Sequence, residues 1–60
     1  MSDKEKSIEA KNKGNAEFKQ KNFEKAIEHY TNAIELDSTN QVFYSNRSGC
    51  YTSLGQYAKS

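Results

Sequence analysis

Hydrophobic positions recur every three to four residues along most of the chain, with polar or charged residues filling the intervals. Ala26, Ile27, Tyr30, Ala33 and Ile34 keep the helical period most closely, with Glu24, Lys25, Glu28, Thr31, Asn32 and Glu35 between them. That spacing puts the apolar side chains on one face and predicts an amphipathic helix. Asn22 stands where a cap for its start is expected, and Glu24 falls in the first turn, where the helix dipole favours a carboxylate. Upstream, Ser2-Asp3-Lys4-Glu5 has the form of a capping box. Ile8, Ala10, Gly14 and Phe18 then mark a narrower apolar or small stripe, predicting a first helix to about Lys21. Asp37-Ser38-Thr39-Asn40 joins residues that favour local side-chain hydrogen bonds over helix, which predicts a turn. A third helix is expected from Gln41 to Leu54, with Phe43, Tyr44, Arg47, Cys50, Tyr51 and Leu54 in step and Gly55 as a left-handed C-cap. Gln56 to Ser60 read as the start of a fourth helix, too short to hold itself.

An internal repeat underlies this pattern. Shifting the sequence by 34 pairs Asn12 with Asn46, Lys13 with Arg47, Gly14 with Ser48 and Ala16 with Cys50, then Phe23 with Tyr57 and Lys25 with Lys59. Small residues meet small ones and aromatic meets aromatic at the helix-packing positions. The expected fold class is therefore all-α: a helix-turn-helix repeat with three helices, about one and a half repeats.

Composition narrows the function. Sixty residues make one small domain, which buries roughly 60% of the surface its unfolded chain exposes and leaves no room for a pocket between domains. The single cysteine, Cys50, cannot form an internal disulfide. The charged opening MSDKEKSIEA has no apolar core of a secretory signal, and no run of 18 apolar residues could span a membrane. Nine basic against eight acidic residues give a net charge of +1, too balanced to draw nucleic acid or membrane by field alone. The expectation is a cytoplasmic interaction module with neither nucleic acid nor membrane as partner.

Cys50 and His29 are the only nucleophile and base candidates of their kind, and no acidic orienter or oxyanion loop accompanies them. The expectation is no enzyme and no cofactor, with Cys50 a small core residue and His29 on the helix surface. One His and one Cys do not close a tetrahedral metal site. Phe18, Phe23, Tyr30, Phe43, Tyr44, Tyr51 and Tyr57 read as core rather than as a base-stacking platform, because no basic patch is interleaved with them. Arg47 is expected to cover apolar surface with its stem and to pair with an acid.

Gly14-Asn15-Ala16, Phe23, Ala26, Tyr30, Ala33 and Leu36, at these offsets in a 34-residue hairpin, resemble the tetratricopeptide repeat. On that resemblance residues 1–6 are a charged lead-in, 7–40 the first repeat and 41–60 an incomplete second repeat. The stretches KNKGNAEFKQKNFEKAIEHYTNAIEL and VFYSNRSGCYTSLGQY are similar to the amino-terminal repeat domain of Hop/Sti-type heat-shock organising co-chaperones. Chaperone-associated phosphatases, immunophilins and small glutamine-rich repeat proteins carry related segments. Ala10, Glu17, Ser38 and Ser60 depart from the general repeat pattern, where an aromatic residue, tyrosine, proline and alanine are usual.

The resemblance implies peptide binding. Such domains hold the C-terminal Glu-Glu-Val-Asp of heat-shock protein 70 and 90 class chaperones in a clamp of Lys, Asn, Asn, Lys and Arg. Lys11, Asn15 and Asn46 match the first three, and the last Lys and Arg belong to a third repeat beyond Ser60. Independently of the resemblance, Lys11 and Asn15 are i and i+4 and share a helix face, one offering a mobile charge and the other a directed amide. Asn46 joins them only where the first and third helices lie side by side. Two alternatives stand beside this reading: a targeting domain of a phosphatase or prolyl isomerase, and a helical unit without peptide ligand that self-associates through its exposed third helix.

Overall fold

A computed structural model describes residues 2–59, with side chains up to residue 55. It contains three helices, α1 (Asp3–Lys19), α2 (Phe23–Leu36) and α3 (Gln41–Lys59), and no strand among the described residues. The all-α helix-turn-helix expectation holds. The helices form an elongated body of 41 × 19 × 12 Å, with α2 packed against both of its neighbours.

Two small apolar clusters hold the helices together. Ala10, Ala33 and Phe43 meet where all three helices converge, with Ile34 against them. Ala26, Tyr30 and Cys50 form the second cluster between α2 and α3, flanked by Ile27. Alanine at the contact faces of α1 and α2 lets the backbones approach, and the large rings of Phe43 and Tyr30 fill what remains. Gly14 carries this furthest. A Cβ there would stand 2.5 Å from Cε1 and 2.7 Å from Cδ1 of Tyr30, so the ring lies directly on the α1 backbone.

Helix ends follow local chemistry. The Ser2 hydroxyl accepts the Glu5 amide at 3.3 Å, as the capping box requires, and the buried Ser7 hydroxyl donates back to the Lys4 carbonyl at 2.6 Å. In the α2–α3 turn, Thr39 donates its amide and hydroxyl to Asp37 Oδ1 (3.3 and 2.6 Å), and Asn40 Oδ1 caps α3 by accepting the Val42 amide at 3.0 Å. The Thr39 hydroxyl bond, foremost, holds the Asp37 carboxyl below its ordinary value.

Five expectations are corrected. The end of α1 is a Schellman turn: the Asn22 amide donates to Glu17 O at 2.9 Å and the Lys21 amide to Phe18 O at 3.0 Å. Lys21 takes the left-handed position at φ 65°, so the helix stops at Lys19. Asn22 does not cap α2 with its side chain; its Nδ2 donates to Glu17 Oε2 at 2.9 Å and straps the turn to α1. Gly55 is not a left-handed cap: no glycine has positive φ, and α3 runs through it to Lys59, so no fourth helix begins after it. Continuing α3 through residues 56–59 keeps their backbone hydrogen-bonded without the cost of nucleating a new helix. The aromatic set divides, with Phe23, Tyr30 and Phe43 buried and Phe18, Tyr44 and Tyr51 exposed; Tyr57 lies outside the described side chains, as does Ser60.

Lys21→Gly is expected to stabilise the fold by about 0.5–1 kcal/mol, because glycine adopts the left-handed position without the Cβ clash, less its larger unfolded-state entropy. Thermal melting checks this. Gly14→Ala is expected to lower the melting temperature by several degrees. Overpacking against Tyr30 costs roughly 1–3 kcal/mol and outweighs the about 1 kcal/mol by which alanine favours helix.

Candidate functional site

A concavity of about 220 Å³ opens between α1 and α3, lined by Asn15, Phe18, Tyr30, Ser45, Asn46 and Gly49. The helical period explains its walls. Asn15 follows Gly14 on α1, so the residue that admits the Tyr30 ring and the residue that faces the concavity are neighbours. On α3, Arg47 and Asn46 point apart. Arg47 turns inward and donates from Nη1 to the Thr31 hydroxyl of α2 at 3.4 Å, which leaves Asn46 on the groove wall. Arg47 thus bridges α2 and α3 through a hydroxyl rather than the acid expected for it.

The three predicted residues are placed unequally. Asn15 and Asn46, 31 positions apart in sequence, line the same concavity. Lys11 lies one turn before Asn15 on α1, half-buried and outside that lining. Asn46 and Lys11 have no side-chain hydrogen-bond partner among the described residues. Asn15 has one: the Tyr30 hydroxyl donates to its Oδ1 at 2.5 Å.

Phe18 forms the apolar end of the concavity. Its ring meets Phe23 edge to face at 5.3 Å and is 38% exposed, so one face remains open to the groove. At Gly49 a Cβ would have nothing within 4 Å, so the absent side chain leaves the opposite wall wide. Tyr30, Phe18 and Gly49 were not singled out for the site in the sequence. Their helical spacing reads as core, and only the register between helices shows them flanking two asparagines.

Cys50 is fully buried between Ala26 and Tyr30, and burial pushes its thiol above the ordinary value. A nucleophilic cysteine needs the opposite shift. His29 lines a separate, more polar concavity of about 400 Å³ with Lys6, Glu9, Lys13 and Asn32, between α1 and α2. Among the described residues no group of three or more His, Cys, Asp or Glu side chains could hold a metal ion. No described helix is long and apolar enough to cross a membrane.

Residues 3–40 match the family model of the tetratricopeptide repeat. The chain belongs to the tetratricopeptide repeat family. Its relatives include Heat shock protein STI1 of Saccharomyces cerevisiae, 55% identical over 51 residues, which is 83% of this chain and 9% of that protein. Hsp70-Hsp90 organizing protein 1 of Arabidopsis thaliana is likewise 55% identical over 51 residues, covering 85% of this chain and 9% of the relative. Serine/threonine-protein phosphatase T of Saccharomyces cerevisiae is 56% identical over 45 residues, 75% of this chain and 9% of the relative. The chain therefore spans about a tenth of the length of these curated relatives. No solved structure matches it.

Within this repeat fold, burial foremost raises the Tyr30 phenol, and the neighbouring Cys50 raises it further. Both groups stay protonated in the folded chain at pH values where the unfolded chain ionises. The folded state therefore binds more protons in that window, and stability falls as pH rises. The melting temperature is expected to hold through neutral pH and to decline above the ordinary thiol and phenol values of 9.0 and 10.0. Thermal melts across alkaline pH check this, and Tyr30→Phe should remove the phenol's part of the decline.

Proposed function

We propose that the chain is part of a non-enzymatic, cytoplasmic peptide-binding module of co-chaperone type. It receives the acidic C-terminal Glu-Glu-Val-Asp tail of heat-shock protein 70 and 90 class chaperones along the α1–α3 wall. The observation that carries this reading is the shared concavity of Asn15 and Asn46, with Phe18 at one end. Two amides beside an apolar ring suit a tail in which carboxylates flank an apolar residue. Lys11 draws the carboxylates, and Asn15 and Asn46 orient them. Identity to proteins named as Hsp70-Hsp90 organizers supports the partner class. Residues 7–40 form one repeat on this reading, and 41–60 belong to the next.

The similarity to phosphatase T supports a second reading, in which the same module targets an enzyme carried elsewhere on a longer protein. A third, self-association through α3, draws on Val42 and Tyr51, which are more than half exposed. It predicts a mass above that of one chain in sedimentation at micromolar concentration and no response to peptide.

A titration followed by NMR, with a peptide ending in Glu-Glu-Val-Asp, tests the first reading. Lys11→Ala and Asn46→Ala are each expected to weaken binding about tenfold, the scale of one charge-assisted hydrogen bond, and amidating the peptide's C-terminus should do the same. Affinity indifferent to all three changes would refute the assignment.

A further inference from the structure

We infer that Tyr30 is a positioning residue that sets the polarity of the binding wall, by holding the oxygen of Asn15 so that its amide nitrogen is the end offered to a ligand. This rests on the peptide-binding reading above and goes beyond it by assigning the chemical sense of one contact and the residue that fixes it. An asparagine amide is nearly symmetric in shape but not in chemistry: one end accepts hydrogen bonds and the other donates two. Whichever end faces the concavity decides between anionic oxygens and donor groups.

Three observations fix the orientation. The Tyr30 hydroxyl lies 2.5 Å from Asn15 Oδ1, a short contact between a donor and an acceptor. Tyr30 is only 2% exposed, and the phenol has no other hydrogen-bond partner among the described residues, so turning the amide over would take away the one protein acceptor of its proton. Its ring is also packed on both sides, between the bare α1 backbone at Gly14 and Ala26 and Cys50. An ordinary phenol keeps its proton through neutral pH, and burial, which raises this one further, extends that range upward.

Gly14, Asn15 and Tyr30 therefore act as one device. The glycine admits the ring, the ring brings the hydroxyl to the next residue, and the hydroxyl presets that residue's amide. Asn46 across the concavity has no such partner among the described residues and is free to turn. The wall thus pairs one preset donor with one adaptable amide, and presetting removes part of the ordering cost of binding. The ligand class that fits the preset end is a carboxylate or another anionic oxygen.

A double-mutant cycle tests this with the full chain and the free-acid Glu-Glu-Val-Asp peptide. Tyr30→Phe keeps the ring and deletes the hydroxyl. It is expected to weaken binding about 5–10-fold in the native background and less than about twofold in Asn15→Ala. In the ligand-free chain it should move the Asn15 side-chain amide resonances while helicity persists. Equal losses in both backgrounds, with the native chain binding, would make Tyr30 merely structural and overturn the inference alone. No binding by the native chain would overturn the peptide-binding reading and this inference with it. If Tyr30→Phe does not fold, Asn15→Asp decides: it still accepts from Tyr30 but faces the peptide with a second oxygen. It should bind more weakly than Asn15→Ala, and binding equal to the native chain would overturn the inference.

Discussion

The contact between the Tyr30 ring and the backbone of α1 at Gly14 governs how the first hairpin closes. A side chain at that position would hold the two helices apart, and the ring would lose either its seat on α1 or its neighbours Ala26 and Cys50 on the far side. The same ring faces α1 on one edge and α3 on the other, so it sets two helix spacings at once. Phe43 does the complementary work from α3, reaching Ala10 and Ala33 at the junction of all three helices. Two rings and a few alanines therefore space a chain that has little apolar surface to bury.

Helix content was readable from the chain because apolar residues keep a 3.6-residue period and no proline interrupts them. The Asp37–Asn40 turn was readable because its side chains satisfy local backbone groups, and Thr39 and Asn40 do so. Helix ends were less legible. Lys21 gives no sign of a left-handed conformation, since that position is usually marked by glycine, while Gly55 gives the sign without the conformation. What decides each case is packing: the α1–α2 hairpin must reverse to bury Phe23 and Tyr30, whereas nothing among the described residues draws the chain back after Gly55.

The candidate site shows the same division. That Lys11 and Asn15 share a helix face follows from their spacing alone. That Asn46 stands opposite Asn15 required the register between α1 and α3, which the family resemblance carried and which the packing of both helices against α2 sets physically. The role of Tyr30 could not be read at all. A tyrosine in an apolar stripe advertises its ring, and its hydroxyl finds Asn15 only through an interhelical match 15 residues away in sequence.

Cys50 sits sealed behind that tyrosine, at the interface that joins α3 to the hairpin. With 0% accessibility, its sulfur is closed to an alkylating reagent until the α2–α3 interface opens. As the single thiol of the chain, it is a built-in reporter of that undocking. When reclosing outpaces capping, the capping rate reports the fraction of time α3 spends away from α2; when capping is faster, it reports the opening rate itself.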